Sequence, residues 1–110
     1  MQLKRVVVTG LGALTPIGNN IEEYWTSLIN GVSGAGPITH FDATKFKTRF
    51  ACEVKNFTAT DYINRKEARK MDKFTQYAVV ASDEAIADSE LNLDKLDKLR
   101  VGVIWGAGIG

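Results

Sequence analysis

An α/β fold is predicted by three features of these 110 residues: apolar β-branched runs that end in glycine turns near both ends, helical spacing between them, and one alternating segment. Val6, Val7 and Val8 run without alternation into Gly10 and Gly12, as a strand covered on both faces would. The run LRVGVIW, residues 99–105, repeats the design and ends in GAGIG.

The first turn, TGLGALTPIG, invites comparison with a nucleotide-binding loop. The spacing argues against it, because G-x-G-x-x-G would need glycine at position 15, where Thr15 stands. No Gly-Lys-Ser/Thr follows, and no strand precedes Asp42 to present an acid to a ribose. A nucleotide-binding α/β protein is therefore the remotest of the readings, and a tight turn back to the surface is the plain one.

Asn20 is expected to cap a helix running to Asn30, with Glu23 at the capping-box position and Glu22 beside it in the dipole-favoured first turn. Ile21, Tyr24, Trp25, Leu28 and Ile29 then form a stripe predicted to face a core. Gly31 supplies the stop, and a connection through Gly34, Gly36 and Pro37 leads to Phe41. Residues 48–54, TRFACEV, alternate, with Phe50, Cys52 and Val54 on the face expected to be buried.

From about Arg65 to Ser89 the pattern predicts one long helix, with Met71, Phe74, Ala78, Ala81 and Ala85 on one face and Val79, Val80 and Ile86 widening it. Leu91 to Asp97 is expected to hold a short helical turn, and Leu99–Trp105 another buried strand. Gly110 would then lie inside a second glycine-rich turn, so the natural protein is expected to continue past it. No linker, repeat or low-complexity tract divides residues 1–110, which read as a single incomplete unit.

The composition is that of an ordinary globular protein: 45% hydrophobic, 25% charged, formal net charge +1. So balanced a charge gives no global pull toward nucleic acid or a membrane, and any electrostatic partner must be met by a local patch. The single cysteine cannot form an internal disulfide, and the basic start MQLKR lacks a signal-peptide core. A cytoplasmic location is the expectation.

Candidate chemistry is sparse. A nucleophilic Cys52 would need an activating base, and the one histidine, His40, belongs to a separate loop. Cys52 is expected to be a buried structural residue and His40 a loop or packing residue. One cysteine and one histidine do not make a metal site, and no cofactor is predicted. The charged feature above background is NRKEARKMD, residues 64–72. On one continuous helix Lys66, Arg69 and Lys70 share an arc of about 100°, with Arg65 beside it. That stripe reads equally as a solvated helix face or as a dock for an anionic partner.

Four stretches together resemble the condensing enzymes of the thiolase superfamily, and most closely the type II β-ketoacyl-acyl carrier protein synthases: RVVVTGLGALTPIGN, HFDATKFKTRFACEVKNF, RKEARKMDKFTQYAVVA and VGVIWGAGIG. They span nearly the whole chain in order. The resemblance implies the N-terminal part of a layered α/β/α/β/α fold, in which VVVTGLG is the first strand and turn. It implies a decarboxylative condensation in which an acyl group held on a cysteine is extended by two carbons from a malonyl-carrier protein, assisted by two histidines. Those three residues lie downstream in the family, so none is expected within residues 1–110, and neither Cys52 nor His40 matches them. The resemblance further implies that Lys66, Arg69 and Lys70 contact the acidic acyl carrier protein, that Ile109 lines the acyl-chain pocket, and that the complete protein forms a homodimer. A polyketide-type ketosynthase and a non-catalytic chain-length-factor-like homologue would share much of the same sequence.

Overall fold

A computed structural model describes all of residues 1–110. Its organising element is α3 (Lys73–Asp88), preceded by α1 (Ile21–Ile29), the short strands β1 (Gly36–Pro37) and β2 (Phe50–Ala51), and the four-residue α2 (Arg65–Ala68). β1 and β2 pair antiparallel, with Gly36 opposite Ala51 and Pro37 opposite Phe50. Single 3-10 turns occupy Ala59–Asp61, Leu93–Lys95 and Lys98–Arg100.

The first helix forms where its caps dictate. The Asn20 side chain accepts from the Glu23 N–H, leaving Glu23 free to accept from the Asn19 N–H one residue before the cap. At the other end Gly31 sits at φ +64°, with Gly31 N–H bonded to Leu28 O and Val32 N–H to Ser27 O. This is the paired closure of a left-handed helix stop. The expected apolar stripe is only partly covered: Ile21 and Tyr24 are half-buried, whereas Trp25, Leu28 and Ile29 are exposed.

The long helix predicted over 65–89 is two helices. Its ladder ends at Ala68, three-residue bonds from Lys70 to Glu67 and from Met71 to Ala68 tighten the turn, and Asp72 starts α3 in extended backbone. Gln76 reaches back from α3 to donate to the carbonyls of Ala68 and Met71, supplying partners that a continuous helix would have provided.

Neither flanking strand forms. Val6–Val8 and residues 101–107 lie outside any ladder, because no other segment of residues 1–110 lines up to accept their hydrogen bonds. Val6 and Ile104 are 88% and 100% exposed, so these apolar runs are uncovered rather than sandwiched. The alternating segment keeps only Phe50–Ala51 as strand, and of its expected inner face only Val54 is half-buried, with Arg49 exposed as expected. Phe50 and Cys52 are exposed while Ala51 and Glu53 are half-buried, because the carboxylate of Glu53 is drawn inward by Thr39 and His40. Cys52 is thus a free, exposed thiol, not the buried core residue predicted.

What core there is lies where Ile63, Ala68 and Val80 meet, flanked by Phe57, Met71 and Val79. Five residues in all are buried, and the accessible surface is 9372 Å². A compact protein of this mass would expose about 6,000 Å².

Candidate functional site: a basic turn and a groove at the head of α3

The glycines of the opening turn serve close packing. A Cβ on Gly10 or Gly12 would run into backbone of α3 at Ala85 and Ala81. With the loop that near, α3 supplies acceptors from its own side chains: Glu84 accepts from the N–H groups of Ala13 (2.8 Å) and Ile21 (2.7 Å), and Asp88 from that of Leu11 (2.8 Å). Charge pattern alone singles out neither carboxylate. Their signal was register, because 81, 84, 85 and 88 follow i, i+3, i+4, i+7 and put two acids on the same face as two alanines.

Lys55 is a second unforeseen tie. Its ammonium donates to the carbonyls of Gly34 (2.7 Å), Pro16 (3.1 Å) and Glu53 (3.1 Å), and Asn19 donates in turn to the Lys55 carbonyl. All three of its N–H bonds are thereby used on backbone.

The basic segment NRKEARKMD forms the surface turn that feeds α3. Lys66, Arg69 and Lys70 are all exposed, around the buried Ala68. Breaking the helix moves Arg69 to a helix end of the favourable sign and leaves Lys66 in the first turn of α2. In one long helix they would crowd its positive N-terminal end, whereas Arg69 now caps the C-terminus of α2, where cations are favoured. Lys70 pairs with Glu67 at 3.0 Å, an exposed contact worth about 0–1 kcal/mol. Lys66 and Arg69 have no carboxylate within ion-pair distance.

An open groove begins at Asp72, the last residue of that turn. Asp72, Lys73, Phe74 and Tyr77 of the α3 start form one wall, and Ala107, Ile109 and Gly110 the other. Ile109 is fully exposed in this groove, and the Phe74 ring lies 3.2 Å from where a Cβ on Gly110 would sit.

His40 and Cys52 are not assembled into anything nucleophilic. His40 lies in a bend, with its Nε2 3.9 Å from Glu53, whose carboxylate also takes the Thr39 hydroxyl at 2.8 Å. The Thr39 hydroxyl, with the Thr39 and His40 amides and the His40 ring, holds Glu53 below the usual carboxylate range. No three acidic, histidine or cysteine side chains come close enough together to hold a metal ion. No helix is long and apolar enough to cross a membrane.

Comparison with known proteins gives this arrangement a context. The chain is 52% identical over all 110 residues to 3-oxoacyl-[acyl-carrier-protein] synthase 2 of Synechocystis and 51% identical to that of Vibrio harveyi. It is 48% identical over 109 residues to the synthase 2 of Staphylococcus aureus strain COL. In each case the chain spans 26% of the relative's length. Among solved structures it resembles the ishigamide ketosynthase/chain length factor, with TM-score 0.74 and 41% identity over 82% of this chain and 22% of that one. It also resembles a chain of a type II polyketide acyl-carrier protein in complex with its ketosynthase bound to the hexaketide, with TM-score 0.63 and 30% identity over 83% of this chain and 23% of that one. The fold is accordingly the N-terminal part of a thiolase-like ketosynthase. The family described as beta-ketoacyl synthase, N-terminal domain, matches residues 3–110, and the chain belongs to that family.

Proposed function

We propose that this chain is the N-terminal part of a 3-oxoacyl-[acyl-carrier-protein] synthase of fatty acid elongation, an acyltransferase. The observation that carries the reading is the identity of about half, unbroken over the whole chain, with proteins of that name. In the complete protein, a cysteine thiolate takes the acyl group from a carrier thioester and releases the carrier thiol. Malonyl-carrier protein then loses CO2, its carbanion attacks the acyl-enzyme carbonyl, and the cysteine thiolate leaves. The product is a β-ketoacyl-carrier protein two carbons longer. Residues 1–110 supply none of those reacting groups, so on their own they are inactive. The reading makes the complete protein a cytoplasmic homodimer.

The chain's contribution is reception. Lys66, Arg69 and Lys70 form the landing surface for an acidic carrier protein, and Ile109, at the groove behind them, lines the acyl pocket. Cations on a rim of this kind speed encounter and weaken with salt. In the full-length protein, reversing all three charges should lower kcat/KM for carrier-bound substrate by about tenfold or more, the equivalent of about 1.4 kcal/mol. Turnover of a carrier-free thioester should be spared; equal losses on both substrates refute the docking surface.

The likeness to polyketide ketosynthase and chain-length-factor structures supports a second reading, polyketide assembly or a non-catalytic partner subunit. Identity to the fatty acid synthases is higher and covers more of the chain. Assay of the full-length protein with saturated acyl primers separates the two.

A further inference from the structure

Two hollows meet at the rings of Phe74 and Tyr77. On one side is the open groove that holds Ile109. On the other is a half-open apolar hollow of about 350 Å³, bordered by the turn Gly12–Thr15, by Ala78 and Ala81 of α3, and by Trp105. Phe74, Tyr77 and Ala107 border both.

The two rings are held differently. Tyr77 is anchored, half-buried with its ring edge-on to Phe57 at 5.1 Å. Phe74 has no aromatic partner and is 40% exposed, with the GAGIG segment closing on its edge. Behind it the cavity offers little to a polar ligand. The Thr15 hydroxyl donates to Gly18 O and accepts from the Ile17 N–H, and the Trp105 indole N–H is given to Ser82. No charged side chain lines the space. It suits an unbranched apolar tail, and the Phe74 and Tyr77 rings stand between it and the groove.

We propose that Phe74 is a specificity-determining partition of the acyl site: a chain that has passed Ile109 abuts the Phe74 ring, and the cavity behind is the length that the ring withholds. This rests on reading Ile109 as an acyl-pocket residue. Shrinking the ring joins the two hollows and admits longer chains, while short chains, which never reach it, are indifferent.

The test uses the full-length protein and a series of acyl primers of increasing length. Phe74→Ala and the milder Phe74→Leu should raise the ratio of kcat/KM for the longest primer to that for the shortest by about tenfold, the scale at which a few methylenes in an apolar pocket are discriminated. The change should come through the longest primer, with Phe74→Leu intermediate. Ile109→Phe, measured beside them, reports on the underlying reading and should penalise long primers. If Ile109→Phe shifts the profile and the Phe74 variants do not, the partition is refuted and the pocket reading stands. If none of the variants shifts it, both are refuted. If neither Phe74 variant folds, Phe74 is a core residue and the partition is again refuted.

Discussion

Glu84 provides the sharpest test of how the opening turn is held. Its two carboxylate oxygens each take one backbone N–H, from Ala13 and from Ile21, and both contacts are partly buried. Glu84→Ala leaves two donors without an acceptor. Hydrogen bonds to charged groups are worth about 1.5–3 kcal/mol each. Partial access of water, which can replace the lost acceptor, puts the pair nearer the lower end, a loss of about 3–4 kcal/mol. Gly12→Ala attacks the same contact from the other side, because its new methyl meets the Ala81 carbonyl and must push the turn away from α3; overpacking of that kind costs about 1–3 kcal/mol. Once the turn has been pushed off, Glu84 has less to lose, so the double variant should lose about 1 kcal/mol less than the sum. The assay is urea unfolding of the full-length protein, with hydrogen exchange of individual amides alongside. In Glu84→Ala the amides of Ala13 and Ile21 should lose protection while that of Leu11, bonded to Asp88, keeps it. A loss under about 0.5 kcal/mol, or additivity within that margin, refutes the clamp.

Gly31→Ala should destabilise by about 1–2 kcal/mol, because φ is +64° and nothing lies within 4 Å of the added methyl, so the whole cost is backbone conformation; Gly31→Asn should recover part of it in the same unfolding assay. Glu53 titrates below its ordinary value of 4.5 when folded, so the stability it contributes is full above that pH and is lost as pH falls through the depressed value. Glu53→Gln should therefore flatten stability against pH below about 4.5, and an unchanged profile would remove Glu53 from the Thr39–His40 contact. Residues 1–110 expressed alone should lack a cooperative thermal transition and should self-associate, because only five of 110 residues are buried; a sharp transition in a monodisperse sample would overturn this.

What the sequence disclosed depended on how local each cause was. Asn20 as cap and Gly31 as stop are decided by a few adjacent residues, and both stand where their chemistry puts them. The helix break at Arg69–Asp72 has a weaker local sign, an aspartate at the N-cap position whose side chain makes no capping bond, and the apolar pattern runs through the break without losing phase and hides it. The covered faces were a different matter. Val6–Val8 and Val101–Trp105 carry strand composition, yet a strand exists only where a neighbour accepts its hydrogen bonds, and composition does not name the neighbour. The same limit explains the site. A basic turn can be read from charge alone, because cations declare themselves. That Phe74 and Ile109 border one groove joins positions 35 residues apart in a loop closure that no periodicity records. Glu84 shows the intermediate case: its register beside Ala81 and Ala85 announced that an acid would be carried inward, and only the approach of Gly12 determined which amides it would meet.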